Sequence, residues 1–550
     1  MKNYILKFDK NLKIETFLQS SLNKYFNKVI TENPYIKERI RQIVFVKQEK
    51  DSENYTVQFD GEKLVFYGNE RALIYALYDF LQKMGWRYFT PTVEVFLKNQ
   101  CTLKFNKPFL YCYNPIFDYR LNLWDKLDDD WLVKNGINAL YCKALPDFLG
   151  GSVNYAGTLV HTFGLMIPPK EYMGTHPEYF ALTKDGKRYG KQLCLSNENL
   201  FAEIIKKAKQ WLKENPLAQI ISISQNDLVF SECQCEKCKA IKKDGNPSDV
   251  LIYFVNKVAR ELSKNYPKIK VQTIAYNYTA DAPKYYKPDD NVIIKICAIQ
   301  SCENHAADDE SCWRNKDFAK QLKDWGRVTN NIYLWKYYND FNYHLTPFQF
   351  LNKQRESFNF YAKSGVKGFF AEGSHGVGET TDFCELKAYI LAKLMFNPNM
   401  CEKEYKKHIQ EFCLNYYGEV AGKYMLKYLN LLKEVSCKEH YDCYPAPYTV
   451  IPTNPQEEKN DKYFIKKAKE LFRRAKSSAE SKKGKERVEK EYIAVLYYSM
   501  YTNFENSMLN ASKSKRKKIL EEQNLLFELI DKYGIKSVRN FNSGIKVKKL

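Results

Sequence analysis

A chain of 550 residues and 64.9 kDa exceeds what one ordinary core holds, so two to four domains are expected. Its composition, 44% apolar, 15% aromatic and 27% charged, excludes wholesale disorder, collagen-like repetition and coiled coil, while the net charge of +21 brings nucleic acid into view as a partner. No window approaches ~18 uninterrupted apolar residues, and the opening MKNYILKFDKNLKIE lacks the ~7–15-residue apolar stretch of a secretory signal, so no membrane contact and a cytoplasmic setting are expected.

Residues 1–107 read as a small α+β domain. Tyr55-Thr-Val-Gln-Phe59 alternates with period two, Asp60-Gly61 supplies a turn, and Leu64-Val-Phe-Tyr67 resumes extended structure, which is a hairpin signal. A helix then opens at Gly68-Asn69-Glu70, with Leu73, Leu77, Phe80, Leu81 and Met84 on one face and Gly85 as its stop. Across 108–400, eight short apolar runs (116–121, 137–142, 157–162, 220–225, 271–276, 292–297, 332–337 and 366–372) alternate with amphipathic stretches such as 249–264, 316–327 and 349–363. Strands alternating with helices predict an α/β fold with a parallel sheet, and this number of strands matches a (β/α)8 TIM barrel. An all-helical domain, 401–550, follows, with helix-period spacing over 402–417, 422–435, 462–478, 487–509 and 514–533. Residues 461–550 hold 23 basic and 11 acidic side chains, a net +12. Their lysines alternate with glutamates, which reads as solvated helix faces ahead of a nucleic-acid surface.

A barrel carries its chemistry at the carboxyl ends of its strands. Arg120 lies at the end of the first run, His161 closes the third, and Gln225-Asn226-Asp227 closes the fourth. Tyr276 and Tyr278 follow the fifth, Trp335, Tyr337 and Asp340 the seventh, and Glu372 the eighth. Glycoside hydrolysis needs one carboxylic acid to protonate the leaving oxygen and a second carboxylate as nucleophile or base. Asp227 is expected to be the acid, its pKa raised by burial and by Glu372, with Glu372 as nucleophile or base. Arg120, His161, Asn226 and Asp340 would contact the sugar, and Tyr276, Tyr278 and Trp335 would offer flat apolar platforms. Each has a plainer reading: a turn residue for Asp227, an ion pair for Glu372, a core carboxylate as partner for Arg120, barrel filling for Trp335. Glu385 and His375 are further candidates.

The stretch from Gly68 to Pro91, GNERALIYALYDFLQKMGWRYFTP, resembles the N-terminal domain that precedes the barrel in alpha-glucuronidases and beta-hexosaminidases. His176-Pro-Glu-Tyr-Phe180, Ser224-Gln-Asn-Asp227, Cys233-Gln-Cys-Glu-Lys-Cys238, Cys302-Glu-Asn-His305 and Gly365-Val-Lys-Gly-Phe-Phe-Ala-Glu-Gly373 are similar to the family called domain of unknown function 4838. The resemblance implies a glycoside-hydrolase-like barrel acting on acidic or amino sugars, such as uronic or sialic acids, with an acid at the fourth strand end where Asp227 stands. Lys336 stands where that family commonly has an acid, and Asp340 where it has an Asn.

Cys233-x-Cys235-x-x-Cys238 is tight enough for three thiolates to meet one Zn²⁺, with Cys302, His305 or Cys312 as the fourth ligand. Such a zinc would be structural, and the hydrolysis itself needs no cofactor. The leading expectation is therefore a glycosidase with a carbohydrate as its partner. A glycan-binding barrel without catalysis is the first rival, and a nucleic-acid binder acting through the basic tail is the second.

Overall fold

Period-two alternation builds a five-stranded sheet at the start of the chain. The computed structural model describes residues 4–50, 52–228, 232–374, 382–445, 450–451, 458–509 and 512–536, without the side chains of 458–461 and 502–509. Strands β1 (Ile5–Phe8), β2 (Gln42–Lys47), β3 (Tyr55–Phe59) and β4 (Lys63–Gly68) are followed by a hairpin of β5 (Trp86–Thr90) and β6 (Val93–Phe96), and then by β7 (Phe109–Tyr113). The sheet order is β1-β2-β4-β3-β7. The expected hairpin forms with Val57 opposite Phe66, and its turn is fixed by Asp60 Oδ1, which accepts from the N–H groups of Glu62 and Lys63 at 3.0 and 2.7 Å. The helix Glu70–Lys83 starts where Asn69 Oδ1 accepts from Ala72 N–H at 2.9 Å, and its apolar residues enter the main core.

The second sheet has seven parallel strands and curls: β8 (Tyr119–Leu123), β9 (Tyr155–Ala156), β12 (Ile220–Ser222), β13 (Lys270–Ala275), β14 (Val292–Cys297), β15 (Ile332–Tyr337) and β16 (Val366–Glu372). A small hairpin of β10 (Phe180–Leu182) and β11 (Arg188–Leu193) lies between β9 and β12 in sequence. The order is β8-β16-β15-β14-β13-β12-β9. Helices Glu198–Glu214, Pro247–Ser263, Trp313–Gly326 and Gln354–Lys363 make crossovers, as the alternation predicts.

The eight expected strands are thus seven in an open sheet. Residues 137–142 contribute one isolated bridge, Leu121 to Ala139, with Val153 N–H donating to Asn138 O at 2.8 Å on the other side. The third strand lies at 155–156, ahead of the expected 157–162. The chain leaves the sheet at Gly157, whose φ is +77° and where a Cβ would sit 2.4 Å from the Trp211 ring.

Helices Glu402–Tyr416, Glu419–Ser436, Glu458–Ser478, Lys482–Leu509 and Lys513–Lys532 follow, close to the expected spans. Many of their charges neutralise one another, as in Lys469–Glu522 (2.6 Å) and Lys476–Glu489 (2.6 Å). Among the described residues no helix is long and apolar enough to cross a membrane.

The concave side of the curled sheet is lined by alternate residues, including Tyr119, Tyr333, Trp335, Phe370 and the buried Lys295. Lys295 Nζ has no hydrogen-bond partner among the described residues and lies 5.2–5.7 Å from the ring centroids of Tyr119, Tyr155 and Phe370. Burial pushes this amine down to about 7, against a nearby Cys297 that raises it. Below that pH the folded protein holds an uncompensated ammonium, a cost that fades as pH rises toward the unfolded value of 10.5. Lys295→Met should therefore gain roughly 1–3 kcal/mol in urea unfolding at pH 6, and the gain should shrink by pH 10. A loss of stability at pH 6 would contradict this.

Candidate active site

Glu372 is the last residue of β16, and its side chain turns to the concave side of the sheet. Trp335, on the neighbouring β15, donates its indole N–H to Glu372 Oε2 at 2.8 Å. The Trp335 ring stacks on Phe370 (centroids 4.9 Å) and Tyr337 (5.3 Å), forming an aromatic floor beside the acid. Glycine follows Glu372 because Trp124 closes in: a Cβ on Gly373 would lie 2.1 Å from that ring. Burial drives Glu372 up to about 7, and the indole hydrogen bond opposes the rise only in part.

Asp227 follows β12 at the end of an extended stretch in which Ser222, Ser224 and Gln225 are buried. Gln225 ties this stretch to the end of β13 by donating to Tyr276 O at 2.8 Å and accepting from Thr279 Oγ1 at 2.7 Å. The Asp227 carboxylate is exposed, which corrects the expectation that this acid is buried. Tyr276 donates its hydroxyl to Asp227 Oδ1 at 2.8 Å. His161 lies beside them, its Nδ1 2.9 Å from Gln225 O and its ring 6.0 Å from that of Tyr276.

The two acids share neighbours. Cys297, at the end of β14, is pushed up chiefly by burial, against Lys295, and then by the charges of Glu372 and Asp227 together. Tyr444 is pushed up by burial and Cys443, and again by both acids. Cys297 and Tyr444 thus lie within reach of the charge of both acids, although neither was a candidate from the sequence. Cys297 carried a signal as the last residue of an expected strand, whereas Tyr444 arrives from a distant loop.

Four expected sugar contacts lie elsewhere. Arg120 is fully buried on the outer face of β8, where it pairs with Glu53 and donates to Gly136 O at 2.6 Å. Strand parity dictates this, because Tyr119 and Leu121 point to the concave side. Asn226 is spent on backbone, accepting from Gly164 N–H at 2.7 Å and donating to Lys191 O at 2.6 Å. Tyr278 leaves the site through the 3₁₀ turn Asn277–Thr279 and lines a separate small cavity with Leu195, Glu232, Cys233 and Cys238. Asp340 is buried and closes a turn, accepting from the N–H groups of Asn342 and Tyr343 at 2.9 Å and from Thr346 Oγ1 at 3.1 Å. Among the further candidates, Glu385 pairs with Lys490 at 2.7 Å, and His375 lies outside the described residues. Lys336, facing away from the site, pairs with buried Glu303 at 2.7 Å.

The cysteine triplet gains a fourth thiol from Cys194, not from the loop after β14: the sulfurs of Cys194, Cys233, Cys235 and Cys238 lie within 4.8 Å of one another. Cys194 Sγ is 3.6 Å from Cys235 Sγ and 3.9 Å from Cys238 Sγ. Four sulfur donors at these separations fit a tetrahedral zinc, whose Zn–S bonds of ~2.3 Å space the sulfurs ~3.8 Å apart.

Solved glycosidases resemble this chain. A GH89 enzyme from Clostridium perfringens, solved with GlcNAc-alpha-1,4-galactose, aligns over 96% of this chain and 68% of its own, at 9% identity and a TM-score of 0.51, which shows a shared fold. A GH138 enzyme targeting pectin rhamnogalacturonan II covers 96% of this chain and 74% of its own, at 10% identity and a TM-score of 0.43. A beta-N-acetylhexosaminidase from Bacteroides fragilis covers 75% of this chain and 91% of its own, at 12% identity and a TM-score of 0.40. No curated protein matches the chain. The family model described as Domain of unknown function (DUF4838) matches residues 90–430, a span that takes in the whole curled sheet with Asp227 and Glu372, and the chain belongs to that family.

Proposed function

We propose that the protein is a glycoside hydrolase in which Glu372 is the general acid and Asp227 the nucleophile, or the base toward water. The observation that carries this reading is a pair of carboxyls in contrasting surroundings, both acting on Cys297 and Tyr444. Glu372 is desolvated and keeps its proton to about 7, so it can protonate a leaving oxygen near neutral pH. The indole N–H occupies Oε2 and leaves Oε1 to carry the proton. Exposed Asp227, steadied by Tyr276, supplies the second carboxylate. This exchanges the two roles expected from the sequence, because burial falls on the other acid. Trp335 and Tyr337 would take a sugar face, and His161 a hydroxyl. We read residues 137–142 as standing in for the missing strand of a (β/α)8 barrel.

The sugar is read as an amino sugar in preference to an acidic one. Arg120, the expected fork for a sugar carboxylate, is consumed by Glu53. Among the described residues no Lys or Arg pairs with either acid, so a uronic or sialic carboxylate would meet the negative Asp227, and against it the concave face sets the buried Lys295, whose charge burial disfavours. The GH89 relative's GlcNAc-containing ligand is compatible with this.

Aryl glycosides of N-acetylamino, uronic and sialic sugars test the reading. Cleavage of an N-acetylaminoside is expected, and Asp227→Asn should lower its turnover about 10²–10⁴-fold with unchanged unfolding. Sugar binding without cleavage across the panel would replace the hydrolase by a glycan-binding protein. We also propose that Cys194, Cys233, Cys235 and Cys238 hold a structural zinc in a reducing, cytoplasmic setting, joining the end of the β10–β11 hairpin to the start of the helix Glu236–Lys242.

A further inference from the structure

Cys302, His305, Cys312 and His440 also bring one ligand atom each within 4.8 Å of the others. We propose that these four side chains form a second, separate zinc site, of Cys2His2 type, that fastens the strap 437–445 to the loop after β14 at the edge of the active site. Cys302 Sγ lies 3.3 Å from His305 Nδ1, and Cys312 Sγ lies 3.0 Å from His440 Nδ1. The two imidazoles stack with centroids 4.4 Å apart and planes 18° from parallel, so their nitrogens approach the two sulfurs side by side. A tetrahedral zinc, with bonds of ~2.3 Å to sulfur and ~2.0–2.1 Å to nitrogen, separates its ligand atoms by ~3.3–3.8 Å. The cluster brackets that spacing, and small side-chain rotations complete it.

The frame around the donors is built from buried amides. Asn315, fully buried, accepts from Cys302 N–H at 2.8 Å and donates to the carbonyls of Cys302, His305 and Ala306 at 2.9–3.1 Å. This ties Cys302 and His305 to the first turn of the helix Trp313–Gly326, whose N-cap residue is Cys312. From the other side, Glu303 N–H donates to Tyr441 O at 3.0 Å and Asn304 Nδ2 to Glu439 O at 3.0 Å, so the strap is docked with His440 already facing the cluster. Two thiols and two imidazoles are a donor set that suits zinc, and their convergence from stretches 128 residues apart is a costly arrangement for four uncoordinated groups.

The strap reaches the site. Cys443 belongs to the concave-side cluster with Trp335 and Tyr337, Phe341 N–H donates to Cys443 O at 2.9 Å, and Asn342 Nδ2 donates to Tyr444 O at 2.9 Å. Zinc at this cluster would thus hold Tyr444 against the two acids. The site stands on its own ligands and does not rest on the hydrolase reading.

Full-length protein made with zinc and purified without air should carry about two zinc ions per chain, and X-ray absorption should average three sulfurs and one nitrogen per zinc. His440→Ala should leave about one zinc, bound by sulfur alone. His440→Cys should keep both metals with a sulfur-richer average, and Cys194→Ser should leave one zinc with two sulfurs and two nitrogens. Since the wild-type spectrum needs no variant, poor folding of any one of them does not blunt the test. A single zinc with the mixed shell would uphold this site and reject the four-cysteine one. A sulfur-only shell in the wild type, a metal-free protein, or a Cys302–Cys312 disulfide in that preparation would overturn the proposal.

Discussion

Replacing Glu372 by Gln is expected to lower kcat about 10²–10⁴-fold, the usual contribution of a positioned proton donor, while the protein folds normally. Gln keeps the shape of the side chain and can still accept from the Trp335 indole, so the loss isolates the proton. The pH profile carries a sharper signature. With Glu372 raised to about 7, wild-type kcat/KM should fall as pH climbs through that value, because the acid loses the proton it must donate. Trp335→Phe keeps an aromatic ring on the Phe370 stack but removes the N–H that favours the ionised carboxylate, and should move that falling limb to higher pH. The Glu372→Gln substitution should change stability in the opposite sense to activity. A carboxyl whose folded pKa lies above its unfolded 4.5 favours the folded state while protonated, and that favour is lost as pH rises through about 7. Glu372→Gln should therefore be more stable than wild type above pH 7, by up to about 3 kcal/mol, with the difference vanishing below pH 4.5. A variant with wild-type turnover, or wild-type activity that climbs through pH 7, would remove Glu372 from the acid's role.

The pattern of apolar runs was enough to read a parallel sheet with crossover helices, because β12 to β16 are buried on both faces and announce themselves as near-continuous apolar stretches. It was not enough for the second and third strands. Residues 137–142 are as apolar as their neighbours yet form one bridge, since pairing depends on partners that the run does not contain. Glu372 and Asp227 could be picked out by their position after apolar runs, but their surroundings could not: the sequence does not show that Glu372 is the buried acid and Asp227 the exposed one, the contrast on which the proposed exchange of roles rests. The same blindness affects metal ligands. Cys233-x-Cys235-x-x-Cys238 is visible as spacing, whereas Cys194 lies 41 residues before Cys235 and is placed by the β10–β11 hairpin. His440 was invisible for the same reason.

Arg120 illustrates what parity alone decides, and its removal gives the largest expected loss of stability. A strand-end arginine can serve a substrate or a core, and alternation from Tyr119 and Leu121 sends this one outward to Glu53. Burial by itself would raise Glu53, but the charges of Arg120 and Arg71 outweigh it and hold the carboxyl below its ordinary value. Arg71 joins at 2.8 Å and Asn138 Nδ2 donates to the same oxygen at 2.8 Å, so the carboxylate locks β8 to the N-terminal sheet. Arg120→Met leaves a buried, partly compensated carboxylate and should cost about 3–5 kcal/mol in chemical denaturation, as should Glu53→Gln through the stranded guanidinium. The double variant Arg120→Met with Glu53→Gln should recover part of the sum, because no charge is left without its partner. The pair also sets an acid limit: with Glu53 depressed, its stabilisation is whole above pH 4.5 and disappears as pH falls through the folded value, so Glu53→Gln should flatten the acid limb of stability. A sugar-binding arginine predicts the reverse, namely raised KM with intact stability. If Arg120→Met unfolds like the wild type but binds substrate weakly, the buried pair is not what joins the two sheets. If it unfolds early while its folded fraction keeps a normal KM, the arginine belongs to the frame and the site is left to the acids and aromatic rings.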